Sequence, residues 1–256
     1  MIFGYHEIVP TEQSYRYALT SSVLDRHLAL VVGLRSAKGR TSDSHRFTFD
    51  DGHVSSFRFA LPLLTRHAVT GIFFAIGSYI GNRPDYMTWE QLKELVSRGH
   101  EVQSHGWSHI PLTQCSGSKL TEELVRSKQT LEDRLQVKVE AISTPHGRWN
   151  STVLEACART GYKRVFTSDP RIKPHIREGV SLVGRLVVDR TLSDREVQLL
   201  LQEDPGAILR LRLRHSAKKS IKRVLGDRLY HRIWCRLSGW KGPVSLDEAS
   251  DTRHAQ

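Results

Sequence analysis

Two acids and two imidazoles are the groups in this chain best placed to do chemistry. Asp50 and Asp51 close the stretch Thr48-Phe49 and run into Gly52-His53. Further along, Ser104-His105-Gly106-Trp107-Ser108-His109 offers two histidines four residues apart. One carboxylate with two imidazoles is a ligand set for a divalent metal, zinc above all, and leaves coordination positions open for water and substrate. Asp51, His105 and His109 are assigned to the metal, and Asp50 is left to move a proton as a general base. If strand geometry persists past Phe49, the two neighbouring acids point in opposite directions, which separates ligand from base. Each cluster alone has a plainer reading: a turn or helix N-cap for Asp-Asp-Gly, and two surface residues one helical turn apart for His-x-x-x-His. A third polar cluster, Pro145-His146-Gly147, also follows a strand-like run, and the three together favour a shared site over coincidence.

The elements that must position these groups alternate between short β-rich runs and helical patterns. Strands are predicted at Ile2–Tyr5, Arg46–Phe49, Gly71–Ile76, Glu101–Gln103, Val139–Ser143, Arg164–Thr167 and Leu182–Val187. Helices are predicted at Ser22–Val32, Ser55–Arg66, Trp89–Arg98, Leu120–Leu135, Thr152–Thr160 and Ser193–Leu201. Thr88 is a predicted N-cap and Gly99 a predicted stop for the helix between them, with Asn150 or Ser151 and Gly161 doing the same later. The alternation predicts a parallel α/β architecture, better suited to a distorted or incomplete barrel than to a doubly wound open sheet. In parallel barrels, chemistry collects at the C-terminal ends of strands, where all three polar clusters fall.

These residues resemble a family. Thr48-Phe49-Asp50-Asp51-Gly52 and Ser104-His105-Gly106-Trp107-Ser108-His109 are similar to the first two motifs of polysaccharide deacetylases of the NodB-homology type, carbohydrate esterase family 4. Tyr5-His6-Glu7-Ile8, Thr70-Gly71-Ile72-Phe73-Phe74 and Gly99-His100-Glu101-Val102 agree with it, and the likeness covers residues 1–170. The resemblance implies a distorted (β/α)7 barrel in a single domain, and metal-dependent removal of an N- or O-linked acyl group from a sugar. It places the general base at Asp50 and the metal triad at Asp51, His105 and His109. A backbone N–H near His146 would help hold the oxyanion.

The third motif departs from the family's usual Arg-Pro-Pro-Tyr-Gly. Here it reads Ser143-Thr144-Pro145-His146-Gly147, so the arginine that would pair with the base is missing and Arg148 is the nearest substitute. The fourth motif is reduced to Ser168-Asp169-Pro170, and the histidine of the fifth is not evident. His146 or His6 is the preferred general acid, with His215 a weaker choice. Trp107, Pro145, Gly147 and Trp149 are candidate substrate contacts, and Trp107 alternatively packs beneath the metal loop. The leading expectation is a carbohydrate deacetylase. The alternatives are a catalytically degenerate glycan-binding relative, or a carbon–nitrogen hydrolase acting on a non-sugar amide.

Composition bounds the rest. The chain has 256 residues, 39% hydrophobic and 25% charged, which is ordinary for a globular protein. No apolar run is long enough to span a bilayer and no leader pattern opens the chain, so a cytoplasmic location is expected. Cys115, Cys157 and Cys235 are too far apart for a metal knuckle or a disulfide framework. The net charge of +11 is concentrated between Ala207 and Lys241, where eleven Lys or Arg face one acid, Asp227. Ile221, Leu225, Leu229, Ile233 and Leu237 repeat at four-residue spacing there, which predicts an amphipathic helix. The expected organisation is a catalytic barrel over residues 1–205, a basic amphipathic helical segment over 206–241 and a disordered tail over 242–256. The basic segment either packs on the barrel or makes peripheral contact with an anionic membrane at its inner face. Nucleic acid is not an expected partner, and the oligomeric state is not legible.

Overall fold

The computed structural model describes residues 1–37, 46–170 and 174–216. Along them run β1 (Ile2–Tyr5), β2 (Glu7–Val9), β3 (Ala18–Thr20), α1 (Ser21–Ala37), β4 (Arg46–Phe49), α2 (Leu61–Arg66), β5 (Gly71–Ala75) and α3 (Trp89–Ser97). Then follow β6 (Glu101–Ser104), α4 (Gly117–Leu135), β7 (Ala141–Ser143), α5 (Ser151–Arg159), β8 (Arg164–Thr167), β9 (His175–Arg177), β10 (Val180–Gly184), β11 (Leu186–Val187) and α6 (Asp194–Leu201). Residues 205–216 are helical as well. Most of the expected basic segment 206–241, its stripe from Ile221 to Leu237, Cys235 and the expected tail 242–256 lie outside the described residues. Among the described residues, no helix is long and apolar enough to cross a membrane.

The main sheet has nine strands in the order β11-β1-β4-β5-β6-β7-β8-β10-β9. All its pairings are parallel except β10 with β9. The predicted strand Leu182–Val187 is interrupted at Arg185. Its first half, β10, pairs with β8, and its second half, β11, pairs with β1. One bent strand therefore closes the sheet on itself. Counting β10 and β11 together and setting aside β9, seven parallel strands remain of the nine, which is the expected distorted (β/α)7 barrel. The expectation missed β2 and β3, which form a separate two-stranded parallel sheet, and β9. Runs of two or three residues are too short to show a period.

Side chains alternate between two faces of the barrel wall. Phe3 and Tyr5 of β1, Phe47 and Phe49 of β4 and Phe73 of β5 stack at centroid spacings of 4.8–5.9 Å. They belong to the large core against the helices. The opposite positions, Ile72, Phe74, Ala141, Phe166 and Val183, form a smaller cluster inside the barrel. The helices that flank it are capped as expected. Thr88 Oγ1 accepts from Gln91 N while the Gln91 side chain accepts from Thr88 N, and Asn150, rather than Ser151, caps α5. The predicted helix Ser55–Arg66 begins instead with a wider π-helical turn over Ser56–Ala60 before α2.

Candidate metal centre and its surroundings

Every chemically interesting side chain lies at a strand's C-terminal end, on one mouth of the barrel. His6 follows β1, Asp50 and Asp51 follow β4, and His105 follows β6. Pro145, His146 and Gly147 follow β7, Asp169 follows β8, and Arg185 follows β10.

Asp50 continues the strand pairing, its N–H donating to Tyr5 O at 2.8 Å. Asp51 then takes φ +73°, a left-handed conformation uncommon for a residue with a Cβ. This turn, rather than the alternation of a continuing strand, sends the two carboxylates apart. Asp51 Oδ1 lies 3.2 Å from His105 Nε2 and 3.3 Å from His109 Nε2. The three ligand atoms all fall within 4.8 Å of one another. His105 and His109 do not share a helix. The connection is a loop in which Gly106 (φ +80°) and His109 (φ +63°) are both left-handed.

The donor chemistry fits a cation. His105 Nδ1 is 2.8 Å from the carbonyl of Ser143, which can only accept, so Nδ1 carries the proton and the Nε2 lone pair faces Asp51. Among the described residues, Asp51 Oδ1 is buried and has no hydrogen-bond donor assigned to it. With Nε2 unprotonated, the acceptor oxygen and acceptor nitrogen 3.2 Å apart would be satisfied by a cation between them. Burial opposes charge on Asp51, yet the two imidazoles outweigh it and hold its pKa well below the usual carboxylate range. For His105 burial again opposes charge, and Asp50 and Asp51 outweigh it, raising its pKa. The set is two nitrogens and one oxygen, suited to zinc or a similar divalent ion with open positions.

Asp50 is gripped from the opposite side. Arg185 Nη1 donates to Oδ1 at 2.7 Å and Nη2 donates to Oδ2 at 2.8 Å. Ser143 Oγ adds a donor to Oδ2 at 3.1 Å and itself accepts from Arg185 Nη2 at 2.7 Å. Thr48 Oγ1 accepts from Nη1 at 3.0 Å, and Nε reaches Thr167 O at 3.4 Å. The guanidinium lies inside the barrel near the rings of Phe74 and Phe166, 5.4 and 5.9 Å away, and Arg185 is only 2% exposed. Burial opposes ionisation of Asp50, but Arg185 and then His105 overcome it and lower its pKa. Oδ1 receives one of these donors and keeps a lone pair for another. The expected stand-in for the missing arginine, Arg148, is thus corrected to Arg185, at the break between β10 and β11.

The remaining candidates divide. The ring of His146 lies 4.8 Å from that of His109, so it belongs to the mouth of the site. His6 is beside it too: its Nδ1 is buried without a hydrogen bond, and its pKa is lowered by burial, against the pull of Asp51 and Asp50. His215 reaches the same mouth through Asp169, its Nε2 3.8 Å from Oδ1. Pro145 is buried beside Gly106, while Gly147 (φ +64°) packs so close to Ser168 that a Cβ there would collide with its side chain. Trp149 packs on the core with Arg177 5.3 Å from its ring. Trp107 is not free to stack on a sugar. Arg126 covers its ring at 4.0 Å, and a Cβ on Gly77 would come within 2.7 Å of it. That ring wedges the loop between the two histidines, the second of its two expected roles.

Comparison with known proteins finds relatives of one family and fold. A family model described as polysaccharide deacetylase matches residues 38–165. A chitooligosaccharide deacetylase of Bradyrhizobium sp. is 32% identical over 127 residues, covering 48% of this chain and 56% of that protein. The peptidoglycan-N-acetylglucosamine deacetylase PgdA of Listeria monocytogenes is 30% identical over 139 residues, 54% of this chain and 29% of its own. The chain spans about half or less of the length of these curated relatives. Among solved structures, the Streptococcus pyogenes deacetylase PplD, in complex with acetate, superimposes with a TM-score of 0.67 at 23% identity, covering 80% of this chain and 97% of that one. IcaB from Ammonifex degensii gives 0.67 at 25% identity, covering 78% and 96%.

Proposed function

The chain belongs to the polysaccharide deacetylase family, and on that premise we propose that it hydrolyses the acetyl group of an N- or O-acetylated sugar in a glycan, using a divalent metal, zinc, held by Asp51, His105 and His109. The observation that carries this reading is the convergence of those three ligand atoms beside a carboxylate, Asp50, that Arg185 keeps ionised. When bound, the cation supplies Lewis acidity, polarising the acyl carbonyl and making water easier to deprotonate. Asp50 accepts the proton of the attacking water at Oδ1, whose open lone pair is the one Arg185 and Ser143 leave. Arg185 and Ser143 hold the carboxylate in one rotamer, so its aim is fixed before substrate arrives. His146, at the mouth beside His109, donates the proton that the departing amine or hydroxyl requires.

The similarity to a chitooligosaccharide deacetylase makes N-acetylglucosamine oligomers the first substrate to try. The test is acetate release from N- and O-acetylated oligosaccharides, before and after chelation and after zinc is restored. Release that chelator stops and zinc recovers supports the proposal. Glycan binding without release would instead favour a degenerate relative, and release only from non-sugar amides would favour another carbon–nitrogen hydrolase.

The same reading includes peripheral contact with an anionic membrane through 206–241. Its support is that Leu209 and Leu213, one helical turn apart, are 58% and 60% exposed. Arg210 and Arg212 are exposed beside them. Sedimentation of the full chain with anionic and with neutral vesicles tests it, and equal recovery with both would remove it.

A further inference from the structure

A carboxylate that the reaction does not use sits beneath the metal loop. Glu123, on α4, is fully buried. Its Oε2 accepts from Trp107 N at 3.1 Å and from Ser108 N at 2.9 Å. Its Oε1 accepts from Ser108 Oγ at 2.6 Å. Just upstream, Gly106 N donates to Ser104 Oγ at 3.1 Å, and that hydroxyl meets Ser127 Oγ of α4 at 2.8 Å. Consecutive backbone N–H groups turned to one side make a hollow for an anion, and here the anion is part of the protein. The other edge of the loop is also tied: Gly106 O and Trp107 O accept from Gly77 N at 3.0 Å and Ser78 N at 2.9 Å.

Most of these contacts fall on the loop between His105 and His109, and Lys119 Nζ also lies 3.6 Å from Glu123 Oε1. Glu123, Arg126 and Ser127 lie one turn apart on the same face of α4, and all three grip the loop, Arg126 through the ring of Trp107. A buried carboxylate is costly unless donors surround it. Its position on the otherwise apolar stripe of Leu120, Leu124 and Leu131 therefore calls for a reason. We propose that Glu123 is a positioning residue that fixes the separation and tilt of the two imidazoles, and so sets the affinity and geometry of the Asp51–His105–His109 cluster for a divalent cation.

The inference rests on the metal reading above, and the test separates the two. Apo protein is titrated with Zn2+ against a chelating dye, and its Co2+ form is followed by visible absorption. If the wild-type protein binds neither ion, the metal reading fails at that point and the inference falls with it. Given wild-type binding, Glu123→Gln keeps shape and one acceptor but loses the charge, and should weaken binding about 10–100-fold and alter the Co2+ spectrum. Ser108→Ala removes a single donor, folds with little disturbance and should shift both readouts in the same direction by less. Glu155→Gln, exposed on α5 and paired with Arg159, should change neither. If Glu123→Gln and Ser108→Ala lower the melting temperature yet leave Zn2+ affinity and the Co2+ spectrum untouched, Glu123 serves only the fold and the proposal is overturned.

Discussion

Arg185 and Asp50 meet fork to fork, two N–H groups on two carboxylate oxygens at 2.7 and 2.8 Å, although they stand 135 positions apart in the chain. The pairing depends on two local features. The bent strand breaks at Arg185, which frees its side chain to cross the barrel interior. Ser143 stands where the resemblance leads one to expect arginine, and its small side chain leaves room for the guanidinium while bridging it to Asp50. The arginine is relocated from the third motif to the last barrel strand.

Removing one partner of a buried ion pair strands the other. Arg185→Met should therefore destabilise the protein by about 3–5 kcal/mol, because Asp50 is left charged and unpaired in the interior. Asp50→Asn in the same chain should restore part of that loss, since the amide needs no counter-charge. Urea unfolding of both single variants and the double variant measures this. Strictly additive costs would mean that the two side chains do not depend on each other.

Asp50 and His105 should separate chemistry from metal retention. Asp50→Asn should reduce acetate release by at least about 10²-fold, as expected for loss of a general base, while the purified protein keeps its metal. His105→Ala should lose both. Elemental analysis beside the release assay decides, and normal turnover by Asp50→Asn would end the base assignment.

The strand and helix pattern was largely legible in the sequence because parallel strands and their covering helices leave strong local periods. The cluster of Asp51, His105 and His109 was legible because candidate ligands must follow strand ends, and three polar clusters did so. Arg185 was not. In Leu182-Val183-Gly184-Arg185-Leu186-Val187 one cation among apolar residues reads as a strand position facing water, and only closure of the barrel turns it inward. The available signal was that a charge within an apolar run needs a partner, and Asp50 lacked one. Glu123 left a similar trace, an acid on the buried stripe of its helix. Trp107 could not be resolved from sequence, since its fate depends on Gly77 and Arg126, which neighbour it only in space.

The acid role divides His146 from His215 by leaving group. A poor leaving group needs a proton and a good one does not. His146→Ala should cut hydrolysis of an N-acetylated sugar by about 10²–10⁴-fold but spare an activated acetyl ester such as 4-nitrophenyl acetate. His215, 3.8 Å from Asp169 at the same mouth, is the competing candidate, and His215→Ala should leave both nearly unchanged if His146 is the acid. Reversal of the two results would transfer the role to His215.

Acid should loosen the barrel through a histidine remote from the candidate metal centre. His27 of α1 is buried, with the Tyr5 hydroxyl 2.9 Å from Nδ1 and Asp194 Oδ1 3.4 Å from Nε2. Burial, acting against the attraction of Asp194, lowers its pKa. The folded protein thus keeps His27 neutral at a pH where the unfolded chain has already taken up a proton. Stability rises with pH wherever the unfolded state binds more protons. It should therefore be intact above the ordinary histidine pKa of about 6.5 and decline as pH falls below it toward the lowered folded value. The buried His100 and the partly buried His6 and His53, also lowered first by burial, add to the same slope. His27→Gln preserves an acceptor for Tyr5 but cannot titrate. It should remove one proton's share of the slope, about 1.4 kcal/mol per pH unit at its steepest. Denaturant unfolding free energies at intervals from pH 7.5 to 5 measure this, and an unchanged slope in His27→Gln would show that His27 takes up its proton equally well in the folded barrel.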